Sequence, residues 1–331
     1  MSDHKMDEND VRIFSGQSHP GFAQDIANYL GIPLERTNFR RFGNDCTEVQ
    51  LGASVRSRSV FIVQSLIKPV SENLLELFIM LDIAHSAGAR NVHAIIPYYS
   101  FARSDKKDAP RISIIARLVA DLLVTSGASH VMTMTLHSPQ VHGFFSVPTD
   151  VLTGRTEIAR YFTERDLDST IVVSPDLGHA KSAARFADMI GLPIVAANKE
   201  RVSDTRVRIT GFSGQQVRKF RRALVYDDEI STGNSMAEVS KILVKHGVKE
   251  VIPICTHGVF SGNALELLGN IPQISEVVMT DTVPAPANQN HLPFRLTVLP
   301  VAKLFGEAIW RNYTRQSIGG LFTYWQEPAS N

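Results

Sequence analysis

The strongest constraint on the fold is a set of short runs rich in valine and isoleucine that recur along the chain. They are SVFIVQS (59–65), NVHAIIPY (91–98), HVMTMTL (130–136), TIVVSPD (170–176), LPIVAAN (192–198), ALVYDD (223–228), EVIPICT (250–256) and EVVMTDT (276–282). Each is apolar throughout instead of alternating, as strands buried on both faces of a parallel sheet must be. Between them lie ENLLELFIMLDIAHSAG (72–88), RISIIARLVADLLVTSG (111–127), HAKSAARFADMIG (179–191) and NSMAEVSKILVKHG (234–247). Their apolar residues fall at helical spacing, and a glycine, a common helix stop, closes each. Strand alternating with helix predicts α/β domains with mainly parallel sheets and right-handed crossovers.

A chain of 331 residues exceeds the roughly 250–300 at which single cores tend to split, so two domains are expected. An internal echo supports a duplication. SVFIVQS, a helix and SAGARNVHAIIPYYSF (86–101) run parallel to RALVYDD, a helix and KHGVKEVIPICTHGVF (245–260).

A net charge of +1 with 20% charged residues gives no attraction for polyanions, which argues against nucleic acid and membrane surfaces as partners and for small-molecule chemistry. Cys46 and Cys255 are the only cysteines, too few for a disulfide framework and suited to a reducing cytoplasm. Residues 1–10, MSDHKMDEND, read as a disordered leader without the apolar core of a signal peptide, and no run approaches the roughly 18 apolar residues of a membrane span.

Open parallel sheets bind ligands beyond the carboxyl ends of their strands. Tyr98 to Asp105, Leu136 and His137, Asp176, Asn198 to Arg201, and Asp227 with Asp228 fall at such ends. The last pair opens the stretch VYDDEISTGNS (225–235). Its strand is expected to stop at the two acids, and Thr232, Gly233, Asn234 and Ser235 to enter the following helix. A helix N-terminus with small and hydroxylated residues makes a phosphate cradle, and two carboxylates beside it suit a pair of sugar hydroxyls or a metal. The alternative is a capped helix start with Ser231 or Thr232 as N-cap.

Carboxylates for hydroxyls beside small residues for phosphate describe a site for ribose 5-phosphate, and the loop resembles the signature of phosphoribosyltransferases. Over about residues 12–313 the chain resembles the ribose-phosphate pyrophosphokinases, through IFSG (13–16), VRSRSVFIVQS (55–65), NLLELFIMLD (73–82), IPYYSFARSD (96–105), LHSPQVHGFF (136–145), VVSPDLG (172–178), the VYDDEISTGNS loop, FSGNA (260–264) and TDTVP (280–284).

The resemblance implies two similar phosphoribosyltransferase-type domains, each a mainly parallel sheet flanked by helices. The first covers 11–154 and receives a returning C-terminal helix at 301–320; the second covers 155–300 and carries the ribose-phosphate loop. It implies ATP and ribose 5-phosphate as substrates, Mg²⁺ as cofactor and a homo-oligomer, a hexamer built from dimers. By the same resemblance His137 and Asp176 hold the metal, and Phe42, Asn44, Arg103, Asp105 and His137 meet ATP. Lys199 and Arg201 are the catalytic cations of a mobile loop, and Asp227, Asp228, Ser231, Thr232, Gly233, Asn234 and Ser235 bind the sugar phosphate.

Several positions depart from the family pattern. Asn44 and Cys46 replace acidic residues, Ser104 a glutamine, Thr135 an acid, His179 a glycine and Ser231 an aspartate, while Asn234 and Ser235 replace a glycine and a threonine. Three readings follow: a divergent synthetase, a pyrophosphokinase acting on another 5-phosphoribosyl acceptor such as ADP-ribose, and a non-catalytic regulatory relative.

Overall fold

The structure is a computed structural model that describes residues 6–203, 206–213 and 217–321; the side chains of 198–211 and 213 lie outside that description. The chain divides into two compact units, unit 1 comprising Met1–Thr153 with Val301–Asn331, and unit 2 comprising Gly154–Pro300.

Unit 1 runs β1 (Val11–Ser15), α1 (Pro20–Leu30), β2 (Leu34–Glu35), β3 (Thr37–Arg41), β4 (Thr47–Leu51), β5 (Ser59–Val63), α2 (Val70–Ser86), β6 (Asn91–Ile96), α3 (Ile115–Thr125), β7 (His130–Met134) and β8 (Thr149–Leu152). Six strands form a parallel sheet in the order β2-β1-β5-β6-β7-β8. β3 and β4 form a separate antiparallel hairpin.

Unit 2 continues with α4 (Arg155–Thr163), β9 (Thr170–Ser174), α5 (Ala180–Met189), β10 (Ile194–Ser203), β11 (Arg206–Ser213), β12 (Arg222–Ile230), α6 (Asn234–Lys245), β13 (Glu250–Gly258), α7 (Ala264–Gly269), β14 (Glu276–Thr280) and β15 (Arg295–Leu299). Its sheet has the order β11-β10-β9-β12-β13-β14-β15. All neighbours are parallel except β10 and β11. A last helix, α8 (Ala302–Tyr313), belongs to unit 1.

The continuous apolar strands divide their side chains between two cores, since successive residues of a strand point to opposite faces. In β5, Val60 and Ile62 join Leu77, Met80 and Leu81 of α2 and Val119 and Leu123 of α3. Phe61 and Val63 join Phe22, Ile26 and Leu30 of α1 and Phe305 and Ile309 of α8. In β12, Ala223 and Val225 pack with Met236, Val239 and Leu243 of α6. Leu224 and Tyr226 pack with Ile158 and Phe162 of α4 and Phe186 of α5. The segments β5-α2-β6 and β12-α6-β13 that echo each other in sequence are thus the same strand, helix and parallel strand unit.

Strands unannounced by an apolar run are mostly edges. β2 and β8 border the first sheet, and β11 and β15 the second. An edge strand is not enclosed like a central one and needs no continuous apolar sequence.

The expected leader does not take in all of residues 1–10. Residues 1–5 lie outside the described residues, but Met6 is buried in the core with α1 and α8. Its backbone N–H donates to the Leu30 carbonyl at 3.1 Å, and Asp10 pairs with Arg90 at 2.9 Å.

α8 closes unit 1 by packing on α1. Phe305 meets the Phe22 ring edge-on at 5.5 Å between centroids, and the Tyr29 hydroxyl donates to Glu307 Oε2 at 2.7 Å. Burial, helped by the Glu307 carboxylate, pushes the Tyr29 phenol up to about 12. Gly306 lies against the Tyr29 ring, which a Cβ at 306 would strike. Gly306→Ala should therefore lower stability by about 1–3 kcal/mol, although alanine is the better helix former by about 1 kcal/mol. Thermal unfolding checks this, and in a Tyr29→Ala background the added cost should shrink.

Candidate active site

Unit 2 gathers its polar groups where β9 and β12 end. After β9, the Ser174 hydroxyl donates to the Asp176 carbonyl at 2.7 Å. The backbone N–H of His179, the N-cap of α5, donates to Asp176 Oδ1 at 3.0 Å. The loop is thus closed on itself and its carboxylate is set. In β12 the fully buried Tyr226 stacks on Phe186 at 4.6 Å. Asp227 and Asp228 follow, 9% and 6% exposed. The strand does not stop at the acids as expected. It runs on to Ile230, because Glu229 and Ile230 still pair with His257 and Gly258 of β13.

Three carboxylates of unit 2 surround one imidazole. His179 Nδ1 lies 3.1 Å from Asp176 Oδ1 and 3.5 Å from Asp227 Oδ1, and Nε2 lies 3.2 Å from Asp228 Oδ1. Burial and the adjacent Asp228 raise Asp227 well above the usual carboxylate range, with His179 pulling the other way. Burial alone would lower His179; the hydrogen bond to Asp176 and the charges of Asp227 and Asp228 outweigh it and push the ring up to about 9. Three carboxylates gathered at one point can hold a hard divalent cation, which takes oxygen ligands; the imidazole, held protonated, competes for the same oxygens. Sequence reasoning registered His179 only as the replacement of a small residue; a ring where bare backbone is expected was the available signal.

Past Ile230 the chain turns into α6. Gly233 is the N-cap, with φ 75° and ψ −5°, and α6 has no side-chain capping bond among the described residues. The alternative of Ser231 or Thr232 as N-cap is therefore not realised, and the helix begins at Asn234. A side chain at 233 would be strained by that φ and would crowd Ala264 of α7, whose Cβ lies 3.3 Å from the position of an added Cβ. The turn is held from the other side: the N–H groups of Val259 and Phe260 donate to the Ile230 carbonyl, and that of Ser261 to the Ser231 carbonyl at 2.8 Å. Asn234 Nδ2 donates to Thr232 Oγ1 at 3.2 Å. Ser231 is half-buried, while Thr232, Asn234 and Ser235 are exposed. A buried glycine turn leading exposed hydroxyls into a helix N-terminus is the arrangement from which anion cradles are built.

The remaining expected residues belong to other elements of the chain. His137, Arg103, Asp105, Phe42 and Asn44 belong to unit 1, apart from the acids of unit 2 in the chain's division. His137 follows β7 just after Thr135, a non-glycine residue at φ 42°, a conformation that costs energy and recurs at functional positions. Arg103 and Asp105 follow β6, Arg103 exposed and Asp105 half-buried. Phe42 caps the β3-β4 hairpin, 39% exposed, with the Arg40 guanidinium 4.7 Å from its ring centroid. Asn44 Oδ1 accepts from the Cys46 N–H at 3.3 Å. Lys199 and Arg201 were expected on a loop. Their backbone is instead strand: they lie on β10, opposite Ile209 and Val207 of β11, and their side chains fall outside the described residues.

Two mainly parallel sheets flanked by helices, one bearing this acid pair and glycine turn, define a protein built from phosphoribosyltransferase-type domains. The model of the N-terminal domain of ribose phosphate pyrophosphokinase matches residues 11–127, and that of the phosphoribosyl synthetase-associated domain matches 217–323. The chain belongs to the ribose-phosphate pyrophosphokinase family. A Streptomyces coelicolor relative is 47% identical over 95% of this chain and 98% of its own. The ribose-phosphate pyrophosphokinase of Deinococcus radiodurans is 44% identical over 94% and 97%. The crystal structure of phosphoribosylpyrophosphate synthetase from Mycobacterium smegmatis is similar with a TM-score of 0.85 and 33% identity, covering 92% of this chain and 99% of that one.

The acid cluster makes stability depend on pH. The folded value of His179, about 9, exceeds its ordinary value of 6.5, so the folded state binds the extra proton. The gain is complete below the ordinary value and is lost as pH rises through the folded one. In thermal unfolding with EDTA present, the advantage of the wild type over His179→Gln should therefore shrink between pH ~6 and ~10.

Proposed function

We propose that this chain transfers the β,γ-pyrophosphoryl group of ATP to the anomeric hydroxyl of ribose 5-phosphate, giving phosphoribosyl pyrophosphate and AMP. The observation that carries the reading is the buried pair Asp227 and Asp228 leading through the Gly233 turn into α6, in a chain whose relatives are named for this reaction. Those names favour ribose 5-phosphate over a larger acceptor such as ADP-ribose and over a non-catalytic role.

The N-terminus of α6, with Ser231, Thr232, Gly233, Asn234 and Ser235, receives the 5-phosphate through backbone N–H groups, hydroxyls and the helix dipole. Asp227 and Asp228 take the ribose hydroxyls. Because Asp227 resists ionisation, the pair can offer a proton donor as well as acceptors. Phe42 and Asn44 serve the adenine, and Arg103, Asp105 and His137 the rest of the nucleotide. The anomeric oxygen forms its bond to the β-phosphorus as the bond to the AMP oxygen breaks, and the hydroxyl proton is given up. Lys199 and Arg201 draw off the negative charge that spreads over the transferring group. Magnesium is the proposed cofactor, with His137 and Asp176 as its ligands, and when bound it would neutralise phosphate charge. The working form is a homo-oligomer, a hexamer of dimers, and the place of work is the cytoplasm, where ATP is at hand. Among the described residues no helix is long and apolar enough to cross a membrane.

AMP release from ATP should require ribose 5-phosphate; release only with ADP-ribose, or with no acceptor tried, overturns the reading. Lys199→Ala and Arg201→Ala should each lower kcat by about 10²–10³ with ATP binding little changed. Equal losses in both quantities would remove the assignment of these cations to the transition state.

A further inference from the structure

His179 has no part in the reaction as written above, yet its side chain reaches Asp176, Asp227 and Asp228 at once. Its ring is rigid and its nitrogens point in different directions. Nδ1 faces Asp176 Oδ1 at 3.1 Å and Asp227 Oδ1 at 3.5 Å, and Nε2 faces Asp228 Oδ1 at 3.2 Å. The ring is anchored through its own backbone, whose N–H holds the same Asp176 oxygen at 3.0 Å. The side chain is 18% exposed, so water competes weakly for these contacts.

We infer that His179 is a positioning residue for the proposed reaction: its imidazole ties the Asp176 carboxylate to the Asp227 and Asp228 pair, setting the cation-holding and sugar-holding acids in one arrangement. Three neighbouring carboxylates repel one another, and a ring that satisfies one on each nitrogen fixes their separation without a metal ion. The same contacts engage an Asp176 oxygen that a divalent cation would otherwise recruit. Removing the ring therefore has two opposite consequences. The sugar acids lose their common brace, and Asp176 becomes more available to a cation.

The inference rests on the proposed reaction, and its test separates the two. In the full chain, His179→Gly should raise the KM for ribose 5-phosphate about tenfold or more, the scale of a lost hydrogen bond to a charged group, while the KM for ATP moves much less. Titration of Mn²⁺ into the same variant without ATP or sugar, followed by calorimetry, should show binding several-fold tighter than the wild type. His179→Gln, whose amide can still donate to one acid, should recover part of the sugar KM. A generally loosened fold would weaken both ligands together. That outcome, or an unchanged KM in His179→Gly when the wild type does release AMP with ribose 5-phosphate, overturns the inference alone. If the wild type releases no AMP with that sugar, the proposed reaction fails, and the Mn²⁺ comparison still decides whether His179 restrains Asp176.

Discussion

The structure depends on the burial of strand β12 on both faces. Its alternation sends Ala223 and Val225 to one core and Leu224 and Tyr226 to the other, so the strand cannot slip by one residue without exchanging the two sets. Asp227 and Asp228 inherit that fixed register. Two acids at this depth are costly to ionise together, and the fold tolerates them because an imidazole stands among them. Apolar packing thus supplies the geometry, and with it the electrostatic problem that the imidazole answers.

The proposed phosphate side of the site has a different basis. There the backbone does the work: Gly233 takes a left-handed conformation against Ala264, and carbonyl oxygens of Ile230 and Ser231 accept from the segment that follows β13. The departures Asn234 and Ser235 sit on the exposed side of this turn, so they alter what faces an acceptor without disturbing the buried clasp beneath it.

The central strands, the helices and their glycine stops were legible in the sequence because both-face burial writes itself as continuous apolar runs. The acid pair and its turn were legible because two carboxylates and five small residues are hard to justify by packing. Edge strands β8 and β15 were not, since partial exposure relaxes composition, and the charges of NKERVSDTR (198–206) concealed the hairpin of β10 and β11. Met6 looked like leader because a single apolar residue among acids has no period to reveal it. The bridging role of His179 depends on side-chain directions at the ends of two strands far apart in sequence, which no local pattern encodes.

α8 lies near the C-terminus yet completes the core of unit 1. During synthesis the chain emerges N-terminus first, so the face of α1 that carries Phe22 and Ile26 has no permanent cover until Phe305 and Ile309 leave the ribosome. The first unit to be made is therefore the last to be finished. Throughout that interval unit 2 is being made, and the apolar face of α1 waits on the last helix of the chain.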